Sequence, residues 1–257
     1  MKYGDVYGTA ENVGGISGYV GNGSKVQGGT NYGEISGASN DIGGIVGENQ
    51  GYVGAYIVED EIIAKVINHG YVHGGNNVGG ITGHHAKNTA VTEYADNYGK
   101  VYGSGDRIGG IVGDNEAGTV RNCVNHGEVN ADGGNVGGII GRNSGGTEAT
   151  NLTNNGNVVA LSGTAVGGII GNNCNSSALS SKLYNNGDVY GYNQVGGISG
   201  YQGAGSSIDV AVNNGKVYGY TDQVGQIVGY NNAPDETTNV TENGSAEVVV
   251  EGEEEEE

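Results

Sequence analysis

Residues 97–115 read NYGKVYGSGDRIGGIVGDN. In the first half, Asn97, Gly99, Val101 and Gly103 alternate with Tyr98, Lys100 and Tyr102. A period of two sends alternate side chains to opposite faces of a strand, so this half predicts a strand with a small, apolar inner face and a polar outer face. The second half, Ile108-Gly-Gly-Ile-Val-Gly, puts β-branched residues around a glycine pair. The Gly-Gly is expected to permit a tight or left-handed corner.

Both halves recur along the chain. VGGISG stands at 13–18 and 195–200, IGGIVG at 42–47 and 108–113, VGGITG at 78–83, VGGIIG at 136–141 and 166–171, and VGQIVG at 224–229. The key isoleucines, 16, 45, 81, 111, 139, 169, 198 and 227, are spaced 29, 36, 30, 28, 30, 29 and 29 residues apart. The other half appears as NYGEISG (31–37), NNGDVYG (185–191) and NNGKVYG (213–219). Its first glycine precedes the isoleucine by 11 to 13 residues in all eight copies. The return path takes 16 to 18 residues, except for 25 between Ile45 and Gly70. The surplus there predicts a loop-out between Gly51 and Glu61.

Counted from the same glycine, position −2 is Asn31, Asn68, Asn97, Asn125, Asn154, Asn185 and Asn213, and position +2 is always Val or Ile. Three short strands and their corners fit a coil of about 29 residues, with neighbouring coils about 4.8 Å apart. A single coil cannot bury its own apolar face, but stacked coils share one core. The expected fold is therefore all-β: a parallel β-solenoid of about eight coils over residues 1–250. Its hand is expected to be right, as parallel crossovers usually are. The seven asparagines are expected to form an inward ladder, with Glu242 ending the series.

Composition agrees with a thin, repeated core. There are 55 glycines and one proline, with neither Phe nor Trp. The net charge of −19 opposes binding to nucleic acid, whose affinity rests on Lys and Arg contacts to phosphate, and docking on anionic membranes. The glutamates of 251–257 read as a solvated, disordered tail. No stretch approaches a membrane span. Met1-Lys2-Tyr3-Gly4 enters the pattern at once, without a signal peptide. That leaves a cytosolic protein or a piece of a longer secreted chain, and the start in mid-pattern favours the second. Cys123 and Cys174 occupy different repeat positions and are expected to be buried and reduced.

The VGGIVG core flanked by Asn-x-Gly-x-Val-x-Gly resembles the GLUG-type repeats of bacterial surface proteins over about residues 3–230. Ala131, Ala160 and Gln226 depart from it by replacing glycines. Such repeats occur in adhesin-like proteins and beside the catalytic regions of IgA1-cleaving metallopeptidases. The resemblance implies an extracellular stalk or interaction module and names no ligand.

Reactive constellations are sparse. There is no HExxH, GxSxG or GxxxxGK[ST] string. His84-His85 reads as a solvated loop pair, and His69 and His73 as outer-face residues of one strand too far apart to share a metal. No catalytic residue, metal or cofactor is expected, so the chain is expected not to be an enzyme. Tyrosines are the notable surface feature. Tyr190 and Tyr218 are equivalent, as are Tyr192 and Tyr220, and Tyr201 and Tyr230. The first four are the candidate partner surface, for a host protein or a glycan, on a chain expected to be a monomer.

The register places Val101, Ile111, Val129, Ile139, Val158 and Ile169 inward. Ile139→Asp should therefore destabilise several coils together, by about 3–5 kcal/mol, because it buries an unpaired charge in a shared core. Thermal melting followed by circular dichroism checks this; an unchanged melting temperature would refute the register.

Overall fold

The computed structural model describes residues 1–145, 148–174 and 179–249; the glutamate run expected to form a tail lies outside them. The chain is a parallel β-solenoid. One coil shows the plan. Val101–Gly103 and Ile108–Gly109 lie in a fifteen-stranded sheet, Val112–Asn115 in an eight-stranded sheet and Thr119–Asn125, whose last residue opens the next coil, in an eleven-stranded sheet. Equivalent residues pair in register from coil to coil: Val72 with Val101, Val101 with Val129, and Val129 with Val158. The six residues assigned inward all have zero exposure. At one corner a single carbonyl serves two donors: the N–H groups of Ile111 and Val112 both donate to Ile139 O, at 3.0 and 2.9 Å.

The core is two columns rather than one. Ile111, Val112, Val120 and Cys123 belong to the larger column, Val101 and Ile108 to the smaller. The glycine pairs lie at the waist between them, but for a reason other than the one the sequence suggested. None of the paired glycines has positive φ. The left-handed residue is the one before the motif: Asn12, Asp41, Asn77, Arg107, Asn135, Ala165 and Gln194, with φ between 52° and 66°. The glycines are required by close approach. A Cβ on Gly109 would collide with Val112 O of its own coil, and one on Gly110 with Gly138 O and the Asn125 side chain of the next coil.

Three further details refine the expectations. The insertion in the long repeat is an antiparallel hairpin, Tyr56–Val58 with Glu61–Ala64, which starts later than expected because Tyr52–Gly54 keeps its place in the solenoid. A 3-10 turn at Pro234–Glu236 is the only helical segment among the described residues. His69 and His73 do not share a strand: Val66–Asn68 and Val72–Gly74 are separate strands in different sheets, and His69 stands at the corner between them.

Gly110→Ala should destabilise the protein by about 3 kcal/mol, the upper range for over-packing, because backbone of the next coil cannot yield. Gly4→Ala, where a Cβ meets nothing within 4 Å, should stay within roughly 0.5 kcal/mol of the parent. Urea titration of both variants tests the distinction, and equal midpoints would contradict it.

Candidate functional site

The seven asparagines form one unidirectional ladder. Each Nδ2 donates to the Oδ1 of the next: Asn31 to Asn68, Asn68 to Asn97 and Asn97 to Asn125 at 2.8 Å, then through Asn154 and Asn185 to Asn213 at 2.9 Å. The second hydrogen of each Nδ2 goes to the carbonyl two residues on, as from Asn97 to Gly99 at 2.8 Å. Both ends are capped with the right polarity. Lys2 Nζ approaches Asn31 Oδ1 at 3.4 Å, and Gln226 Oε1 accepts from Asn213 Nδ2 at 3.1 Å. All seven are fully buried. Satisfied buried amides fix the corner backbone, a structural role.

A second buried column escaped the sequence reading. Asn49, His85, Asn115, Asn143, Asn173 and Gln202 align across the eight-stranded sheet with zero exposure. Each stands four residues after a key isoleucine, so tabulating that offset would have revealed it. His85 is thus a ladder residue in a strand, not half of a solvated loop pair. Asn115 Nδ2 donates to Gly118 O at 3.1 Å and Asn143 Oδ1 at 2.9 Å, so its Oδ1 faces His85 Nδ1 at 3.0 Å. His85 Nε2 then accepts from the Thr92 hydroxyl at 2.8 Å, and Thr82 Oγ1 lies 3.1 Å from Thr92 Oγ1. Hydroxyl, imidazole and amide stand in the order of a nucleophile relay. Yet Thr92, His85 and Asn115 have no exposed surface, so no substrate can reach them. Burial pushes the His85 imidazole down to about 4.

His84, beside it, brings a ligand atom within 4.8 Å of atoms from Asp114 and Glu116. The residue types suit a metal, but Asp114 is already neutralised. Arg142 grips both its oxygens at 2.9 and 2.7 Å, and Arg107 Nε lies 3.6 Å away. The cluster is better described as an ion-pair network. The cysteines separate: Cys123 is buried, its thiol pushed up to about 12 by desolvation. Cys174 is exposed, because it lies just past the end of the strand Ile170–Asn173.

The predicted tyrosines fall together. The Tyr190 and Tyr218 rings stack with centroids 4.9 Å apart and 8° between planes. Tyr192 and Tyr220 are looser, at 6.3 Å and 24°. Tyr201 and Tyr230 stack at 5.7 Å. A longer stack went unnoticed in the sequence: Tyr3, Tyr32, His69, Tyr98 and His126, with centroids 4.3 to 5.0 Å apart. It occupies position −1 and mixes two residue types, so a count of tyrosines alone misses it. Tight stacks of this kind cover ring faces and leave edges to solvent. Their first effect is to join coils, and the Tyr192–Tyr220 pair is the most splayed of them.

Comparison with protein-family models, curated proteins and solved structures yields no match.

The buried histidine gives a pH prediction. Its folded pKa, about 4, lies below the unfolded value of about 6.5. The neutral ring therefore contributes full stability above pH ~6.5, and that stability is lost as pH falls toward ~4, by roughly 3 kcal/mol. His85→Asn replaces the ring with the ladder's usual amide and should remove this acid-side loss. Urea unfolding at several pH values distinguishes the two, and parallel pH profiles would contradict the assignment.

Proposed function

We propose that this chain is a non-catalytic structural and adhesive module of a bacterial surface protein. In this reading it is a rigid rod that spaces other domains and displays side chains in fixed rows. The observation that carries it is the coil-to-coil register that runs from Lys2 paired with Asn31 to Gly219 paired with Val248, shifted between coils at a single bulge among the described parallel pairs. Eight coils at the strand spacing make a rod of roughly 40 Å. The resemblance to GLUG-type repeats supports an extracellular or cell-surface setting, with a host protein or glycan as partner. The acidic charge argues against nucleic acid, and no described helix is long and apolar enough to cross a membrane. An accessory, non-catalytic region of a larger surface peptidase is the alternative use of the same rod.

Inert beads coated with the protein test the reading. Adhesion to epithelial cells or to immobilised polysaccharide, with no release of peptide or sugar products, is the expected result. Turnover of either polymer that a single substitution abolishes would overturn it.

A further inference from the structure

The repeat is most regular where it is structural, so its irregularities deserve scrutiny. Of the eight half-repeats, the one from Gly156 to Ile169 is the longest, at 13 residues. The structure shows where the surplus goes. Ala160 pairs with Gly191, but the next pair is Thr164 with Asn193, so Leu161, Ser162 and Gly163 stand opposite Tyr192 alone. The extra residues form a bulge that pushes Leu161 outward to 53% exposure. Bulges commonly re-aim side chains beside binding sites.

Two recesses meet at this bulge and share Ser162. One, of about 390 Å³, is lined by Leu161, Ser162, Tyr192 and Tyr220. The other, of about 410 Å³, is lined by Asp106, Asn135, Thr164, Asn172, Gln194 and Tyr201 among others. Both volumes lie in the range of small-ligand sites. The first offers an apolar wall with phenol hydroxyls, where the splayed tyrosines leave ring surface open. The second offers amides and hydroxyls. Asn172 Nδ2 donates to Asn135 Oδ1 at 2.9 Å, while its Oδ1 has no partner and is itself buried against the recess wall. Asp106 is already engaged, accepting from Gly134 N at 2.7 Å.

The chemistry narrows the ligand. Neither lining contains Lys or Arg, and the chain carries −19, so an anionic ligand is disfavoured. An extended peptide would seek a free strand edge. The strand carrying the bulge pairs at both its ends with the preceding coil and, outside the bulge, with the following one, so it offers no continuous free edge. Amides and hydroxyls beside an aromatic–aliphatic wall match vicinal hydroxyls and the C–H face of a pyranose. We propose that the bulge at 161–163 builds a binding site for a neutral oligosaccharide lying across both recesses. The proposal rests on the adhesive reading and supplies its ligand class.

The probes are neutral β-1,4-linked hexaoses of glucose, mannose, xylose and N-acetylglucosamine, with oligogalacturonate as the acidic comparison. Binding is read by saturation-transfer NMR on the tyrosine signals. At least one neutral hexaose should bind with a Kd of about 1 mM or better, and oligogalacturonate should not. Tyr192→Ser and Asn172→Ala should each weaken binding about tenfold. Deleting Leu161 and Ser162 restores the 11-residue half-repeat found elsewhere in the chain and should abolish binding without altering the strand spectrum. Tyr98→Ser, in the other ring stack and outside both recesses, should bind like the parent. The proposal is overturned if no neutral hexaose binds at about 10 mM, if the acidic comparison binds equally, or if the deletion variant binds unchanged while folded. Beads that adhere while all hexaoses fail would sink this site and leave the module reading standing.

Discussion

The solenoid depends on the contact between an asparagine side chain and a glycine that has no side chain. At the waist of each coil, the amide of one coil presses on the second glycine of the Gly-Gly pair in the coil before it, as Asn125 does on Gly110. The contact divides the core into two columns and brings the backbones close enough to hydrogen-bond across the corner. The last repeat confirms the cause. After Asn213 the aligned residue is Glu242, which is exposed, so no buried amide presses from the next coil. There the glycine is replaced by Gln226, whose side chain fills the space and closes the ladder. Glycine is kept where another coil's amide must fit and given up where none does.

A stack of this kind is held together by neighbours, so its ends differ from its middle. The key isoleucine is fully buried in six inner coils, 44% exposed at Ile16 and 5% exposed at Ile227. The C-terminal end is covered by Thr237–Glu242 and Ala246–Val248, strands whose exposed residues are largely Thr, Asn and Glu. Charged, short edge strands resist pairing with other chains. The polarity of the asparagine ladder imposes a matching asymmetry: its first member needs a donor and its last an acceptor, and Lys2 and Gln226 supply them.

Much of this was legible because position in a repeat is a physical coordinate. Period-two alternation fixed which face of 97–103 is buried, and the eightfold recurrence fixed the coil length. Aligned Asn97 and Asn125 implied the ladder. What failed depended on contacts between coils that no local rule describes. Gly-Gly was read for its backbone freedom, whereas its missing Cβ is what matters. Left-handed backbone falls on Arg107, Ala165 and Gln194, residue types that do not announce it. His84-His85 looked like a loop because histidine breaks the amide pattern of its column, although an imidazole can occupy the same hydrogen-bonding place. Cys174 was misplaced because it lies beyond a strand end that the motif does not mark.

The departures from the repeat therefore sort by cause. Gln226 answers the end of a ladder. His85 substitutes one hydrogen-bonding ring for an amide within it, satisfying Asn115 on one side and Thr92 on the other. Both leave the coil path unchanged. The bulge at Leu161–Gly163 differs in kind: it lengthens the coil, improves no ladder and exposes a leucine that a shorter segment would not contain. An apolar residue held at the surface opposes burial of apolar area, so packing within the chain does not account for it. The tyrosines lie nearby, since the most widely spaced ring stack among the described residues, Tyr192 with Tyr220, is on the flank of that bulge. The two relaxations of the structural rule are coupled at one place, since Leu161, Ser162 and Gly163 stand opposite Tyr192 itself.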